Sequence, residues 1–251
     1  MNGNHSQLQF SFEDYIAENI DIVNGRLVFD ADSDSGIETS FGKGKKLQPF
    51  KKKVPGTDMT SLSLYQAKGS AQILKALKNA NFKTDQVIKQ FLNRSAVYGS
   101  RILRAKDVDI IVSPKSSSDL VKEFAKEIER RTYYDFYIDA FQKTVDISKV
   151  EIDREDPRIT DDIIASMEKI LTRSKGKGFL SVKQFAPSHR KFIKNLFEII
   201  DETLYRKVAD KNVAIIDDVM TTGTTAKQIH DILKAHGANE VTTLTMFKAT
   251  S

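Results

Sequence analysis

Apolar and polar residues alternate through IDIVNGRLVF, residues 20–29, on both sides of Asn24-Gly25. Period-two alternation around that dipeptide predicts a β-hairpin. Further on the spacing becomes helical. Leu64, Ala67, Ala71, Leu74 and Leu77 share one face of a helix predicted over 60–80. A second helix is predicted over 84–104, with Thr84 as its cap and Val87, Ile88, Phe91 and Leu92 on its apolar face.

From residue 105 short apolar runs and amphipathic stretches take turns. VDIIVSP, residues 108–114, reads as a buried strand ending in a turn. LVKEFAKEIERR follows with Leu120, Val121, Phe124, Ala125 and Ile128 on one helical face. YDFYIDAF, residues 134–141, is a strand pattern. ITDDIIASMEKIL is helical, with Ile163, Ile164, Met167, Ile170 and Leu171 aligned. KFIKNLFEIIDETL, residues 191–204, is predicted helical as well. NVAIID is a strand whose buried part is residues 213–216, with Asp217 and Asp218 at its carboxyl end. TTAKQIHDILKAHG is a helix closed by Gly237, and VTTLTMF a last strand. Strands alternating with helices, several of them continuously apolar, predict an α/β fold with a mainly parallel sheet flanked by helices. The expected division is an N-terminal α+β accessory region, residues 1–104, and a core, residues 105–251, with an inserted helical subdomain at 153–205.

Composition narrows the class without changing this picture. The 251 residues are 40% hydrophobic and 29% charged, as in a soluble globular protein. No apolar run reaches the roughly 20 residues of a membrane helix. MNGNHSQLQFSFEDY lacks the basic start and apolar stretch of a signal peptide, so a cytoplasmic protein is expected. The absence of cysteine excludes disulfides and thiolate metal sites. A net charge of +5 suits an acidic partner, whether a phosphorylated metabolite or a nucleic acid.

Two polar stretches read as surface. In DADSDSGIE, Asp30, Asp32 and Asp34 alternate as in a calcium loop, but Gly36 falls one place late and Phe41 takes the twelfth position, so a polar turn is expected. Residues 42–56 carry six lysines between Lys43 and Lys53 and read as a mobile, solvated connector. A phosphate-attracting rim or a nucleic-acid contact is the sharper alternative for that run. The four histidines, His5, His189, His230 and His236, have no metal-ligand spacing, and His230 and His236 read as surface positions.

The chemistry concentrates in VAIIDDVMTTGTT, residues 213–225. Ligands of such sheets bind beyond the carboxyl ends of the strands. Carboxylates there accept hydrogen bonds from vicinal hydroxyls. A glycine turn entering a helix, with hydroxyls from Thr221, Thr222, Thr224 and Thr225, offers donors for a phosphate. A diol acceptor beside a phosphate cradle describes a site for a ribose 5-phosphate.

This stretch resembles the phosphoribosyl-pyrophosphate (PRPP) motif of type I phosphoribosyltransferases, nearest in loop wording to orotate-type and competence-associated members. The resemblance implies that Asp217 and Asp218 hold the ribose hydroxyls and act as catalytic residues. It implies that Thr221, Thr222, Gly223, Thr224 and Thr225 bind the 5-phosphate. It also implies Mg²⁺, carried mainly on PRPP with no dedicated protein ligand, and a homodimer. SPKSSS, residues 113–118, fits the family's pyrophosphate loop, which gives Lys115, Ser116 and Ser117 as further PRPP-binding residues. Residues 172–190 contain no acidic residue. They fit the family's mobile loop over the reacting centre, with Lys175 and Lys177 as candidate catalytic cations. A basic surface hairpin is the other reading of that segment. Thr221 stands where 6-oxopurine members carry an aspartate, which argues against a hypoxanthine or guanine enzyme. A hood over the acceptor is expected from the first hundred residues, the insertion or a second subunit.

Two functions follow from the same residues. The first is transfer of ribose 5-phosphate from PRPP to a nitrogen acceptor, a nucleobase, with release of pyrophosphate. The second is a non-catalytic PRPP-sensing regulator of the same fold, with nucleic acid as its partner.

Overall fold

The computed structural model describes residues 19–23, 26–30, 37–39, 49–67, 77–79, 82, 86–116, 118–144, 146–177 and 180–249. In chain order the elements are β1 (Asn19–Val23), β2 (Arg26–Asp30), β3 (Ile37–Thr39), β4 (Phe50–Lys53), β5 (Thr60–Ala67), α1 (Gln86–Arg104), β6 (Ile110–Pro114), α2 (Leu120–Glu129), β7 (Asp135–Lys143), β8 (Glu151–Ile152) and α3 (Asp161–Lys177). They continue with β9 (Ile193–Lys194), β10 (Phe197–Ile199), α4 (Glu202–Lys207), β11 (Val213–Met220), α5 (Thr224–Ala235) and β12 (Val241–Ala249).

One eight-stranded sheet has the order β10-β7-β6-β11-β12-β5-β3, with β4 also paired to β5. β7, β6, β11, β12 and β5 run parallel, and the antiparallel β10, β3 and β4 occupy the two edges. A mainly parallel sheet with helices on both faces was legible from the alternation of patterns. Ala214 and Ile216 of β11 point to the face covered by α1 and α2, where Phe91, Phe124 and Leu244 are buried. Val213 and Ile215 point to the opposite face, covered by α5 and the segment between Leu180 and Phe197. The predicted face of α2 is the buried one: Leu120, Val121, Phe124, Ala125 and Ile128 are all buried.

Five readings of the pattern are corrected. Residues 60–67 form strand β5 and not the start of a helix over 60–80. Its serines are not a solvent face, because Ser61, Leu62, Ser63 and Leu64 are all buried. The Ser63 and Thr245 hydroxyls bond each other at 2.7 Å across β5 and β12, so a polar side chain is satisfied inside the sheet. Part of the lysine-rich connector, residues 50–53, is edge strand β4, where lysines are tolerated on a strand margin. Residues 191–204 are not one helix. Asn195 has φ 57°, which interrupts a right-handed helix. Ile193 and Lys194 pair with β8, while Phe197–Ile199 pair with the free edge of β7. Gln228 of α5 completes this packing from a buried position. Its Oε1 accepts from the Leu196 N–H at 2.7 Å and its Nε2 donates to the Ile193 carbonyl at 2.8 Å. Residues 172–177 continue α3 instead of opening the basic loop. Finally, β11 does not stop at the aspartates: it runs on to Met220, held by β12.

β1 and β2 pair antiparallel from Asn19↔Asp30 to Val23↔Arg26, as the hairpin pattern predicted. Asn24, Gly25, Thr84 and residues 31–36 and 41–48 lie outside the described residues, so the turn, the cap and the first half of the lysine run are not characterised. The sheet itself crosses residue 104, since β3, β4 and β5 are part of it.

Candidate functional site

The strand order places the crevice. β6 leads through α2 to β7 on one side, and β11 leads through α5 to β12 on the other. α2 and α5 pack on opposite faces. The chain therefore diverges between the neighbouring strands β6 and β11, and ligands of such sheets bind beyond the carboxyl ends at that divergence. Residues 115–118 follow β6 there, and residues 221–223 follow β11.

A cleft of about 170 Å³ lies at the end of β11, lined by Asp217 and Val219, by residues 220–226, and by Lys143, Ser181, Val182 and Arg190. Gly223 is the N-cap of α5 with φ 80°, a left-handed conformation that glycine adopts without penalty. It makes no side-chain cap, so the first N–H groups of α5 lack the usual capping oxygen. The Thr222 and Thr224 hydroxyls bond each other at 3.0 Å beside those groups. Helix N–H groups, the positive end of the helix dipole and threonine hydroxyls thus converge at one end of the cleft.

The loop is braced from outside by the turn between β4 and β5. Lys52 Nζ donates to the Thr221 carbonyl at 2.5 Å. Val54 and Pro55 pack under Gly223, where an added Cβ would lie 3.1 Å from Val54 Cγ1. Asp58 accepts from His230 Nε2 at 2.8 Å, and Asp231 bonds His230 Nδ1 at 3.0 Å. His230 is thus a buried link between that turn and α5, not the surface residue read from the sequence. Burial pulls its pKa down, but the two carboxylates outweigh burial and hold it above the ordinary histidine value.

Asp217 lines the cleft. Asp218 is not among the cleft-lining residues; it is buried and forms an ion pair with Lys78. The Asp218 N–H donates to Asp217 Oδ1 at 2.8 Å. Burial, then the Asp218 charge, push the Asp217 carboxyl well above the usual carboxylate range; the Asp218 N–H and Lys78 pull it partly back.

The other candidates are distributed as follows. Thr221, Thr222, Gly223, Thr224 and Thr225 all line the cleft with Asp217. Lys115 and Ser116 sit at the carboxyl end of β6, beside β11. The Lys115 side chain is exposed, and its N–H donates to the Phe141 carbonyl at 2.6 Å. Ser116 Oγ accepts from the Ser118 N–H at 3.3 Å. Ser117 lies outside the described residues. Lys175 is exposed near the end of α3, where its charge acts on Asp146. Lys177 is the last residue of α3, and its side chain is outside the described residues. The basic segment still reaches the cleft, through Ser181, Val182 and Arg190. Leu180 and Phe185, both buried, anchor it to the core.

Sequence reasoning missed Lys143 and Lys78, and gave Lys52 only as part of a lysine run that could form a phosphate-attracting rim. Lys143 had a signal: it ends a strand at the sheet edge where ligands bind. Lys78 had none, because it reaches Asp218 across more than a hundred residues of chain. Among the described residues no group of three potential metal ligands occurs.

Residues 158–251 match the family model of the phosphoribosyl transferase domain. No curated protein matches the sequence. Among solved structures, it is similar to a hypoxanthine phosphoribosyltransferase from Staphylococcus aureus, at 13% identity over 64% of this chain and 66% of that one, with a TM-score of 0.34. It is also similar to a hypoxanthine-guanine phosphoribosyltransferase from Bacillus anthracis, at 16% identity over 62% and 63%, TM-score 0.32. A purine phosphoribosyltransferase from Pyrococcus horikoshii matches at 13% identity over 62% and 82%, TM-score 0.36. The chain spans less than two thirds of the length of the first two. The matched family segment covers the C-terminal part of the chain and holds the acidic pair and the threonine loop.

Proposed function

We propose that the cleft binds PRPP and that the protein transfers its ribose 5-phosphate unit to a nitrogen acceptor, a nucleobase, releasing pyrophosphate. The observation that carries this reading is the union, in one cleft, of Asp217, the uncapped start of α5, the threonine loop and the cations Lys143 and Arg190. Residues 221–225 hold the 5-phosphate. Asp217 meets the ribose hydroxyls, and Asp218, buried next to it, is held by Lys78. Lys115, Ser116 and Ser117 receive the pyrophosphate.

In the reaction the bond from ribose C1 to the pyrophosphate oxygen breaks, and its electron pair leaves with that oxygen. The nitrogen acceptor forms a bond to C1 and loses a proton. Negative charge therefore grows on the leaving group and positive charge on the ribose. Cations fixed beside the first and carboxylates beside the second lower the barrier without a covalent intermediate. Lys143 and Arg190 line the cleft and fit the cationic role that the sequence assigned to Lys175 and Lys177. Magnesium, when bound, neutralises the diphosphate. The oxygen-rich cleft, with threonine hydroxyls and the Asp217 carboxylate, suits a hard cation carried on the donor's own oxygens, and no protein side chain is assigned to it.

The test is pyrophosphate release from Mg-PRPP with a broad panel of nucleobases. Release with one base, abolished in Asp217→Asn/Asp218→Asn with the fold intact, is the expected result. PRPP binding without turnover across the panel, together with salt-dependent binding of RNA or DNA, replaces the enzyme with a PRPP sensor.

A further inference from the structure

Asp218 has an unusual setting for a residue meant to meet a ligand. It does not line the cleft, and its side chain is 9% exposed. Lys78, an ion-pair partner from the N-terminal part of the chain, neutralises it at Oδ2. Lys78 is 36% exposed, so its ammonium bridges solvent and a buried carboxylate. The adjacent Asp217 is linked to Asp218 through the backbone, by the Asp218 N–H on its own carboxylate. Two carboxylates this close repel each other and compete for a proton, unless a cation compensates one of them.

We infer that Lys78 is a positioning residue of the site: its ammonium pairs with Asp218 and holds that carboxylate in place beside Asp217, so that Asp217 is free to accept hydrogen bonds in the cleft. The inference rests on the PRPP reading for its ligand, but its core concerns the acidic pair alone. A protonated carboxyl donates where the ribose hydroxyls also donate, so an acceptor is lost when the pair takes up a proton. The charged groups at the pair are Lys78 on Asp218 and, lining the cleft with Asp217, Lys143 and Arg190. Only Lys78 is in ion-pair contact with Asp218 among the described residues. Removing it therefore leaves a buried carboxylate without its counter-ion, a costly state that proton uptake relieves.

Two measurements decide this. The first needs no ligand: carboxyl ¹³C NMR titration of Asp217 and Asp218 in the full chain, wild type against Lys78→Met and Lys78→Arg. Loss of the ammonium is expected to raise the titration midpoints by on the order of one pH unit, and arginine to restore them. Unchanged midpoints in Lys78→Met overturn the inference. If that variant does not fold, Asp218→Asn serves, and the Asp217 midpoint is then expected to fall; a constant midpoint overturns the inference as well. The second is PRPP affinity from pH 6 to 9. Lys78→Met is expected to bind roughly tenfold more weakly at pH 7, in line with one lost charge-assisted hydrogen bond, and to recover by pH 9. Tighter binding at every pH makes Lys78 a blocking ion, and an equal loss at every pH makes it merely structural; either result overturns the inference. Wild-type protein that fails to bind PRPP refutes the proposed ligand, and the NMR titration then decides the role of Lys78 by itself.

Discussion

Replacing Gly223 by alanine tests whether the threonine loop is held in one shape. Gly223 has φ 80° and ψ 5°, a left-handed conformation that costs an alanine about 1–2 kcal/mol. The added Cβ would also stand 3.1 Å from Val54 Cγ1 and 3.4 Å from Met220 Sδ. The first contact is tighter than ordinary packing, and Val54 is 1% exposed, so it yields only with its neighbours. Together these terms amount to roughly 2 kcal/mol, or a Tm lower by about 4–8 °C for a domain of this size. Urea unfolding gives the free energy, and phosphate or PRPP titration gives the consequence for the site. Val54→Ala separates the two causes in a double-mutant cycle. It should remove the part due to crowding and leave the backbone part. Wild-type stability and wild-type anion affinity in Gly223→Ala would show that the loop does not depend on this conformation, and the anion cradle as described would be wrong.

Three further outcomes follow from packing and charge. Gln228→Leu strands the Leu196 N–H and the Ile193 carbonyl, two backbone groups it satisfies from a buried position, so a loss of about 2–4 kcal/mol is expected in denaturant unfolding. Phe124→Ala empties a fully buried site between α2 and the sheet, and calorimetry should register a loss of roughly 3–5 kcal/mol. The third concerns pH. Because the His230 pKa is raised in the fold, its contribution is fully present below its unfolded value of 6.5 and fades as pH rises through the folded value. The stability gap between wild type and His230→Asn should therefore be widest below pH 6.5 and should narrow at alkaline pH; a gap that widens with pH contradicts the assigned ion pairs.

Much of the fold was readable because the signal was local. The α2 face and the Gly237 stop of α5 depend on near neighbours in sequence, and both are found as read. The threonine loop was legible for the same reason: glycine, hydroxyls and carboxylates sit within a dozen residues. The failures share one cause, tertiary packing overriding a local pattern. The spacing from Leu64 to Leu77 fits a helix, yet residues 60–67 pair with β12, where Thr245 bonds the Ser63 hydroxyl. The 191–204 pattern fits a helix, yet the open edge of β7 and the Gln228 amide favour extended backbone there. Placing the aspartates at the carboxyl end of the strand missed that β11 continues through both residues to Met220. Lys78 was out of reach of any local argument, since it lies far from Asp218 in sequence.

A crystal structure of the full chain with PRPP and Mg²⁺ tests the central claim most directly. The account predicts the 5-phosphate on the N–H groups and hydroxyls of residues 221–225, the ribose diol within hydrogen-bond distance of Asp217, and the pyrophosphate toward Lys115, Lys143 and Arg190. A PRPP molecule bound elsewhere, or one with its pyrophosphate in the threonine loop, would contradict it.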